Sequence, residues 1–270
     1  MPDSDLLIDL DEHGVMLVTF NRPEQMNSLS ADLGEGLLGA LQRASEDDEV
    51  KAMVLTGNGR AFCAGAEVSG VGDPTRGGGE GAISSRHARL DHRGSSSRTV
   101  EAFANCDVPI IAAINGAAVG AGFGIASCAD IRIFGESGRA GTIFIKRGVA
   151  ADYGASYWLA RIVGIANAYE IFYDGSPMSA ERAKEVGYAQ RVVPDDQLLE
   201  EALGLARKIA AGPPLANTYV RRLIQRSTEM NPHDFLELEW TYQTNLLRTS
   251  DATEGFRSFI ERRDPEFTGQ

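Results

Sequence analysis

The stretch from Val108 to Asp130 constrains the fold of this chain more than any other part of it. It begins with an apolar run, Ile110 to Ile114, which is short enough for a buried strand. Asn115-Gly116 is a turn signal, and small residues follow, with glycine at positions 120, 122 and 124. The pattern predicts a strand, a turn and a helix that begins near Gly120.

The start of such a helix is a candidate binding site. Its first amides have no acceptor within the helix and lie at the positive end of the helix dipole, which suits an oxyanion or a carbonyl oxygen. Tight packing of the helix on a sheet, with no ligand, is the alternative that this stretch leaves open. A membrane span is excluded, because Pro109, Asn115, the glycines and Asp130 fit a strand, turn and helix better, and no run of basic residues marks a membrane exit.

Composition bounds the class of protein. The chain has 270 residues, 43% of them hydrophobic and 24% charged, as expected for one large globular domain with at most a small appendage. A net charge of −12 argues against binding to nucleic acid or to an anionic membrane. The three widely spaced cysteines form neither a disulfide framework nor a metal site. The acidic start, Met-Pro-Asp-Ser-Asp, has no apolar core segment and predicts no signal peptide, so we expect a cytoplasmic protein.

Strand signals dominate the first half of the chain and helix signals dominate the last third, which predicts an α/β domain with a helical appendage. Strands are predicted at residues 5–10, 15–20, 50–55, 110–114, 131–134 and 190–194, with a loop from 135 to 152. Helices are predicted at 30–44, 154–163, 167–173, 179–187 and, with breaks at 212–214 and 231–232, from about 195 to 262.

Residues 70–98 differ from the rest of the chain. Their first part is rich in glycine, and the second part carries several arginines together with His87 and His92. A surface segment followed by a solvated helix is the simplest interpretation. A lid over a site is the alternative, because long insertions in compact domains are often functional, and His92 would then be a candidate acid or base.

A second patch of small residues runs from Gly57 to Glu67. Its Gly-x-Gly is a weak dinucleotide signal, and the third glycine of that fingerprint is missing. The patch instead has the same order as the first one: a strand, small residues and a predicted helix start. Two amide groups brought together from these patches would form an oxyanion hole with two donors.

Five motifs of the chain resemble the enoyl-CoA hydratase/isomerase (crotonase) superfamily, and the resemblance covers nearly the whole chain. They are Asn21-Arg22-Pro23, Gly59–Ala66, Ala113–Gly122, Met178–Gly187 and Glu254–Phe259. The resemblance implies a crotonase-like spiral of repeated ββα units at residues 1–194 and a C-terminal helical trimerisation region at 195–270. It also implies a homotrimer or a dimer of trimers, and an acyl-CoA substrate with no separate cofactor, since coenzyme A is part of the substrate.

The resemblance also implies positions for the substrate. The thioester oxygen is expected between the amides of Ala66 and Ala121, where two donors would stabilise an enolate by several kcal/mol. The positions expected to contact coenzyme A, in part across a subunit boundary, are Arg22, Ala64, Ala66, Phe259 and Arg262.

Two departures from the family pattern bear on the reaction. Hydratases of the family carry two glutamates, which would fall at Gly124 and Phe144, so hydration by that route is doubtful. Asp152 lies in a segment that resembles the one where some isomerases of the family place an aspartate base. The same position holds the nucleophile of the aroyl-CoA dehalogenases. Its apolar surroundings are expected to raise its pKa toward a useful range.

Alternatives remain at this point. Asp152 is a candidate cap for the helix that starts near Gly154, and Glu67 is a rival carboxylate that we interpret as structural. The expected function is double-bond isomerisation of an unsaturated acyl-CoA, with Asp152 as the proton shuttle. Hydration, hydrolytic or dehalogenase chemistry at Asp152, and binding of CoA esters without catalysis are the other hypotheses.

Overall fold

The computed structural model describes residues 4–67, 86, 90, 91 and 94–270. The predicted segment 70–98 and His92 therefore lie largely outside the described residues. Ten strands are found in the described part: β1 Leu6–Leu10, β2 Val15–Phe20, β3 Ala52–Gly57, β4 Ala61–Cys63, β5 Ile110–Ile114, β6 Ala117–Val119, β7 Ile131–Gly135, β8 Arg139–Gly141, β9 Met178–Ser179 and β10 Arg191–Val193. Ten α-helices accompany them in the same ranges: α1 Ala31–Glu46, α2 Gly94–Asn105, α3 Ala121–Cys128, α4 Ala155–Val163, α5 Ile165–Asp174, α6 Ala180–Glu185, α7 Leu198–Ala210, α8 Pro214–Arg226, α9 Pro232–Leu246 and α10 Ser250–Glu261.

The larger sheet has the strand order β1-β2-β3-β5-β7-β10. Its first two strands form the predicted antiparallel hairpin, and every later neighbour is parallel. Strand β5 lies in the middle, and all five of its residues are buried, as the unbroken apolar run predicts. Strand β3 is found two residues later than predicted, because its pairing with β2 continues to Phe20 and Gly57.

A second sheet, of order β4-β6-β8-β9, is the main element that the residue pattern missed. Strand β8 lies inside the predicted loop 135–152, so that prediction was wrong there. Strands of two or three residues are too short to show a periodicity, which is why the sequence did not reveal them. The consecutive pairs β3/β4, β5/β6 and β7/β8 each place one strand in each sheet, which is the repeated ββα arrangement expected from the resemblance.

Two apolar cores cover the two faces of the larger sheet. Alternate residues of its strands point to opposite sides, so Ile110 faces the core that contains α1, whereas Ile111 faces the core that contains α7. Helix α1 begins where the sequence predicts, because the Ser30 hydroxyl accepts a hydrogen bond from the Leu33 amide at 3.1 Å. Helix α7 follows the predicted boundary at 194/195 and packs directly on the sheet.

The C-terminal helices are tied to the rest of the protein by the buried side chain of Arg221 on α8. Its Nε donates to Asp130 at 2.8 Å, and its Nη atoms donate to the carbonyls of Phe103 and Cys106. Asp130 also accepts a hydrogen bond from the Ile110 amide at 2.8 Å. One guanidinium thus joins α8 to the end of α2, the start of β5 and the residue that closes the Val108–Asp130 stretch.

The helical region has one break more than predicted, between Leu246 and Ser250, where Thr249 caps α10 by accepting from the Ala252 amide. None of the described helices is long and apolar enough to cross a membrane.

Candidate active site

The peptide bond between Gly65 and Ala66, just after β4, supplies the first candidate oxyanion donor. Leu29 bridges it: the Leu29 amide donates to the Gly65 carbonyl at 2.8 Å, and the Glu67 amide donates to the Leu29 carbonyl at 3.2 Å. In a trans peptide the N–H points away from the C=O. The Ala66 N–H therefore points away from Leu29, into the space beside α3.

The second candidate donor is the Ala121 amide at the first position of α3. The Gly120 carbonyl accepts the first helical hydrogen bond, from the Gly124 amide at 3.1 Å, so the N–H of the same peptide points out of the helix end. The Gly120 amide is held by the Gly141 carbonyl of β8 at 3.0 Å. Gly120 has φ of +58°, a value that favours glycine.

The two amides are neighbours because Gly65 lies against the start of α3. A Cβ added to Gly65 would lie 3.6 Å from the Ala121 nitrogen and 3.0 Å from the Val119 oxygen, and the φ of Gly65 is +98°. Only glycine fits this conformation and this approach. The structure thus brings together Ala66 and Ala121, two of the residues predicted for the site.

The positions of the two family glutamates carry no acid. Phe144 is buried in the first core. Gly124 is covered by the loop before α4: a Cβ at Gly124 would lie 2.5 Å from Tyr153 Cβ and 2.8 Å from the Tyr153 oxygen. The loop that carries Asp152 therefore occupies the space that a side chain on this turn of α3 would need.

Asp152 directly precedes Tyr153, the residue that lies against Gly124. It does not cap α4, because the N-cap is Gly154 (φ +66°) and no side chain accepts a hydrogen bond there. Its main-chain carbonyl, rather than its carboxylate, accepts from the Ala155 amide at 3.0 Å. The side chain remains accessible, and partial burial raises the pKa of the Asp152 carboxyl above its ordinary value of 3.8.

Tyr153, the residue after Asp152, is a residue of the site to which the sequence analysis assigned no role. It has φ of +48°, which is uncommon for a residue with a side chain, and this turn presses its backbone onto Gly124. Burial, with the nearby Asp152 and Cys63 groups, raises the pKa of the Tyr153 hydroxyl to about 12. Its phenol is therefore a neutral group beside the candidate base at neutral pH.

Two residues expected at coenzyme A lie close to the Ala66 amide. The Ala64 amide donates to the Met26 carbonyl at 3.0 Å, and its residue is partly exposed. Arg22 points its guanidinium at protein oxygens: it donates to the Glu67 carboxylate at 3.1 Å and to the Ser28 carbonyl at 2.6 Å.

Phe259 and Arg262 lie at the end of α10, and both are exposed. Phe259 forms part of the wall of an apolar cavity of about 560 Å³ between the C-terminal helices, beside Leu246 and Phe256. Within the ranges that the structure describes, neither residue makes a hydrogen bond to the Ala64–Ala66 segment. No group of His, Cys, Asp and Glu in those ranges is arranged to hold a metal ion.

Known sequences are similar to this chain over nearly its whole length. The sequence profile of the enoyl-CoA hydratase/isomerase family matches residues 11–270. The 1,2-epoxyphenylacetyl-CoA isomerase of Escherichia coli K12 is 35% identical over 261 residues, covering 96% of this chain and 97% of that protein. The 2,3-dehydroadipyl-CoA hydratase of the same organism is 33% identical over 268 residues, covering 99% and 100%.

Solved structures agree with the sequence comparison. The enoyl-CoA hydratase of Bacillus anthracis is 32% identical, with a TM-score of 0.88, and the match covers 98% of this chain and 100% of that one. The enoyl-CoA hydratase of Mycobacterium smegmatis is 29% identical, with a TM-score of 0.86, and the match covers 97% and 98%. The crotonase-like fold predicted from the sequence is thereby confirmed.

Proposed function

Because the chain belongs to the enoyl-CoA hydratase/isomerase family of acyl-CoA-processing enzymes, we propose that it moves a double bond within an unsaturated acyl-CoA, with Asp152 as the base. One observation carries the proposal. Asp152 is on the loop before α4, which packs through Tyr153 onto the first turn of α3, whereas Gly124 and Phe144, the positions of the hydratase glutamates, carry no acid.

In this mechanism the Ala66 and Ala121 amides bind the thioester oxygen. Asp152 removes a proton from one carbon of the acyl chain, and the negative charge moves onto that oxygen. The protonated Asp152 then returns the proton to another carbon, and the double bond changes place. Each amide contributes most when the charge is on the oxygen, and loss of one such donor typically costs about 3–4 kcal/mol.

A single carboxylate suffices for this shuttle, since the proton leaves and returns on the same group. A raised pKa suits Asp152 to both halves of the cycle, because a very weak base would not remove a proton from carbon. One of the two E. coli relatives reported above bears the name of an isomerase, of 1,2-epoxyphenylacetyl-CoA, so isomerases of CoA thioesters occur among the relatives of this chain.

The proposal includes the substrate contacts and the assembly expected from the resemblance. Coenzyme A would lie along Ala64 and reach Phe259 and Arg262, in part on a neighbouring subunit of a trimer or of a dimer of trimers. The C-terminal helices 195–270 would form the subunit contacts. The enzyme would act in the cytoplasm on a CoA thioester.

Incubation of the purified protein with 2-enoyl-, 3-enoyl- and dienoyl-CoA in deuterated water tests the proposal. Ultraviolet absorbance follows the double bond, and mass spectrometry follows deuterium. We expect double-bond movement in the wild type, with deuterium uptake to the extent that the protonated Asp152 exchanges with solvent, and we expect loss of the movement in Asp152→Asn. Asp48→Asn, a change of an exposed aspartate on a distant loop, is the matched control and should keep full turnover.

Hydration is the second candidate, because relatives such as the 2,3-dehydroadipyl-CoA hydratase bear that name. The same experiment separates the two reactions. A product heavier by one water molecule would favour hydration, whereas an isomer of unchanged composition apart from deuterium would favour the shuttle. Full isomerase turnover in Asp152→Asn would refute the proposed role of that carboxylate.

A further inference from the structure

We infer that Arg22 and Glu67 are positioning residues, which together hold the Ala66 N–H toward the thioester oxygen. The inference rests on the proposed function of that amide as an oxyanion donor. Arg22 was expected from the sequence to contact coenzyme A, and Glu67 was interpreted as structural.

The guanidinium of Arg22 connects the two chain segments that are paired through Leu29 and Ala66. On one side its Nη1 donates to the carbonyl of Ser28, the residue before Leu29, at 2.6 Å. On the other side Nη1 and Nη2 both donate to Oε2 of Glu67, the residue after Ala66, at 3.1 Å. One planar cation thus connects the residues that flank the bridge.

The Nε atom of the guanidinium also has a partner. Its Nε lies 3.3 Å from the Asp5 carboxylate, and the same carboxylate oxygen accepts a hydrogen bond from the Ser30 hydroxyl at 2.9 Å. Ser30 caps α1, so the position of Arg22 is fixed relative to the first helix. The Arg22 side chain is only 15% exposed, which makes its contacts less screened than those of a surface pair.

Backbone geometry explains why the bridge needs this support. The direction of the Ala66 N–H follows from the Gly65 carbonyl, since both belong to one planar peptide. Gly65 itself offers little resistance to rotation, because glycine lacks the Cβ that restricts φ. The pair of hydrogen bonds to Leu29 sets the peptide plane, and Arg22 holds Ser28 and Glu67 at the spacing that those bonds require.

Asn27 supports the same turn from the other end. Its side-chain oxygen accepts from the Arg22 amide at 2.8 Å, and its Nδ2 donates to the Ala61 carbonyl of β4 at 2.7 Å. The main chain of residue 22 is therefore anchored to the strand that leads to Ala66. Backbone and side chain of Arg22 both act on the same short segment.

A positioning role and a coenzyme A contact make different predictions for Arg22. A coenzyme A contact affects binding of the full CoA ester and spares an ester that lacks the nucleotide. A positioning role affects polarisation of the thioester carbonyl and kcat, and spares the binding of both esters.

The test compares wild type, Arg22→Met, Arg22→Lys and Glu67→Gln, with Arg43→Met as the control. Arg43 makes an ion pair with Asp47 at 3.1 Å on α1 and lies away from the turn. Infrared difference spectra record the C=O band of bound butyryl-CoA labelled with ¹³C at the thioester carbon. Calorimetry gives Kd for butyryl-CoA and for butyryl-pantetheine, and steady-state assays give kcat and KM.

We expect Arg22→Met and Glu67→Gln to lose much of the carbonyl shift and to lower kcat about 10-fold, against about 100- to 1,000-fold when an oxyanion donor is removed outright. Kd should change less than about twofold for both esters. Arg22→Lys should recover part of the shift, because an ammonium keeps the charge but not the planar fork. Arg43→Met should match the wild type.

Two results would overturn the inference. One is an unchanged carbonyl band in both Arg22→Met and Glu67→Gln, whether or not CoA binding weakens. The other is a wild-type band with no shift from the free thioester, which would remove the oxyanion role as well. A shifted wild-type band without isomerase turnover would refute the proposed reaction alone, because the spectra still test the positioning role of Arg22 and Glu67. Glu67→Gln keeps the size of its side chain and guards against misfolding of Arg22→Met.

Discussion

Substitution of Gly124 by alanine is the sharpest test of how the candidate base is held in place. Gly124 lies on the first turns of α3, and the loop that carries Asp152 packs onto it through Tyr153. The new methyl group would meet Tyr153. We therefore expect it to act on the reaction by moving the loop.

The size of the effect follows from the distances. The added Cβ would lie 2.5 Å from Tyr153 Cβ, whereas carbon atoms in contact prefer about 3.5–4.0 Å. Tyr153 must therefore retreat by about 1 Å, and Asp152 is its neighbour in the chain. A misplacement of about 1 Å can cost about 100-fold in rate. That loss corresponds to about 2.7 kcal/mol in activation free energy.

The assay is double-bond isomerisation of an enoyl-CoA, with kcat and KM measured for wild type and Gly124→Ala. We expect kcat to fall about 100-fold with KM nearly unchanged, because the amide pair is left in place. Gly39→Ala is the matched control. Gly39 is helical like Gly124, but it is exposed, and no atom lies within 4 Å of its added Cβ. That control should keep full activity and gain about 0.5–1 kcal/mol in stability.

A wild-type kcat in Gly124→Ala would refute the reasoning, because it would mean that the Tyr153 contact does not fix the position of the base. Equal losses in Gly124→Ala and Gly39→Ala would attribute the effect to the glycine changes in general. Overpacking typically costs about 1–3 kcal/mol, so thermal unfolding should accompany the kinetics to confirm that Gly124→Ala is folded.

Three further changes have defined outcomes. Asp152→Asn should raise the free energy of unfolding at neutral pH, because the folded state disfavours the charged form of a carboxyl whose pKa it raises. In the wild type, kcat/KM should fall as the pH drops through that raised pKa, above 3.8, because the base becomes protonated. Arg221→Met should lower the free energy of unfolding in urea by about 2–4 kcal/mol, since the Phe103 and Cys106 carbonyls lose the buried guanidinium that donates to them, and a loss below about 1 kcal/mol would contradict this. Gly65→Ala should abolish turnover and destabilise the protein, as its Cβ would meet the Val119 oxygen at 3.0 Å with φ at +98°, and an active, equally stable variant would argue against the proposed donor pair.

Local features of the fold were predictable from local sequence. The apolar run of five residues gave β5 with its observed limits, and the helix predicted near Gly120 begins at Ala121. The cap at Ser30 was found as predicted. These features depend on neighbours within a few positions, where hydrophobic runs, turn residues and capping side chains act directly.

Features that depend on distant contacts were not predictable in this way. Gly124 meets Tyr153 from 29 positions away, and the partner of Arg22 at Glu67 lies 45 positions away. Neither pair shares a periodicity or a motif that links its members. The second sheet was missed for a related reason, since its short strands are specified by their neighbours in space rather than by their own residues.

The contact between Gly124 and Tyr153 also restricts how an enzyme of this kind changes its reaction during evolution. A side chain at position 124 and the present path of the loop exclude each other. A lineage that exchanges a carboxylate at position 124 of α3 for one on the loop before α4 must lose the side chain at 124 before the loop can take its present path. The reverse substitution is equally obstructed, because the backbone of Tyr153 occupies the space that a new glutamate at position 124 would need. The order of substitutions is therefore constrained, and reconstructed ancestors should carry glycine at 124 before they carry aspartate at 152.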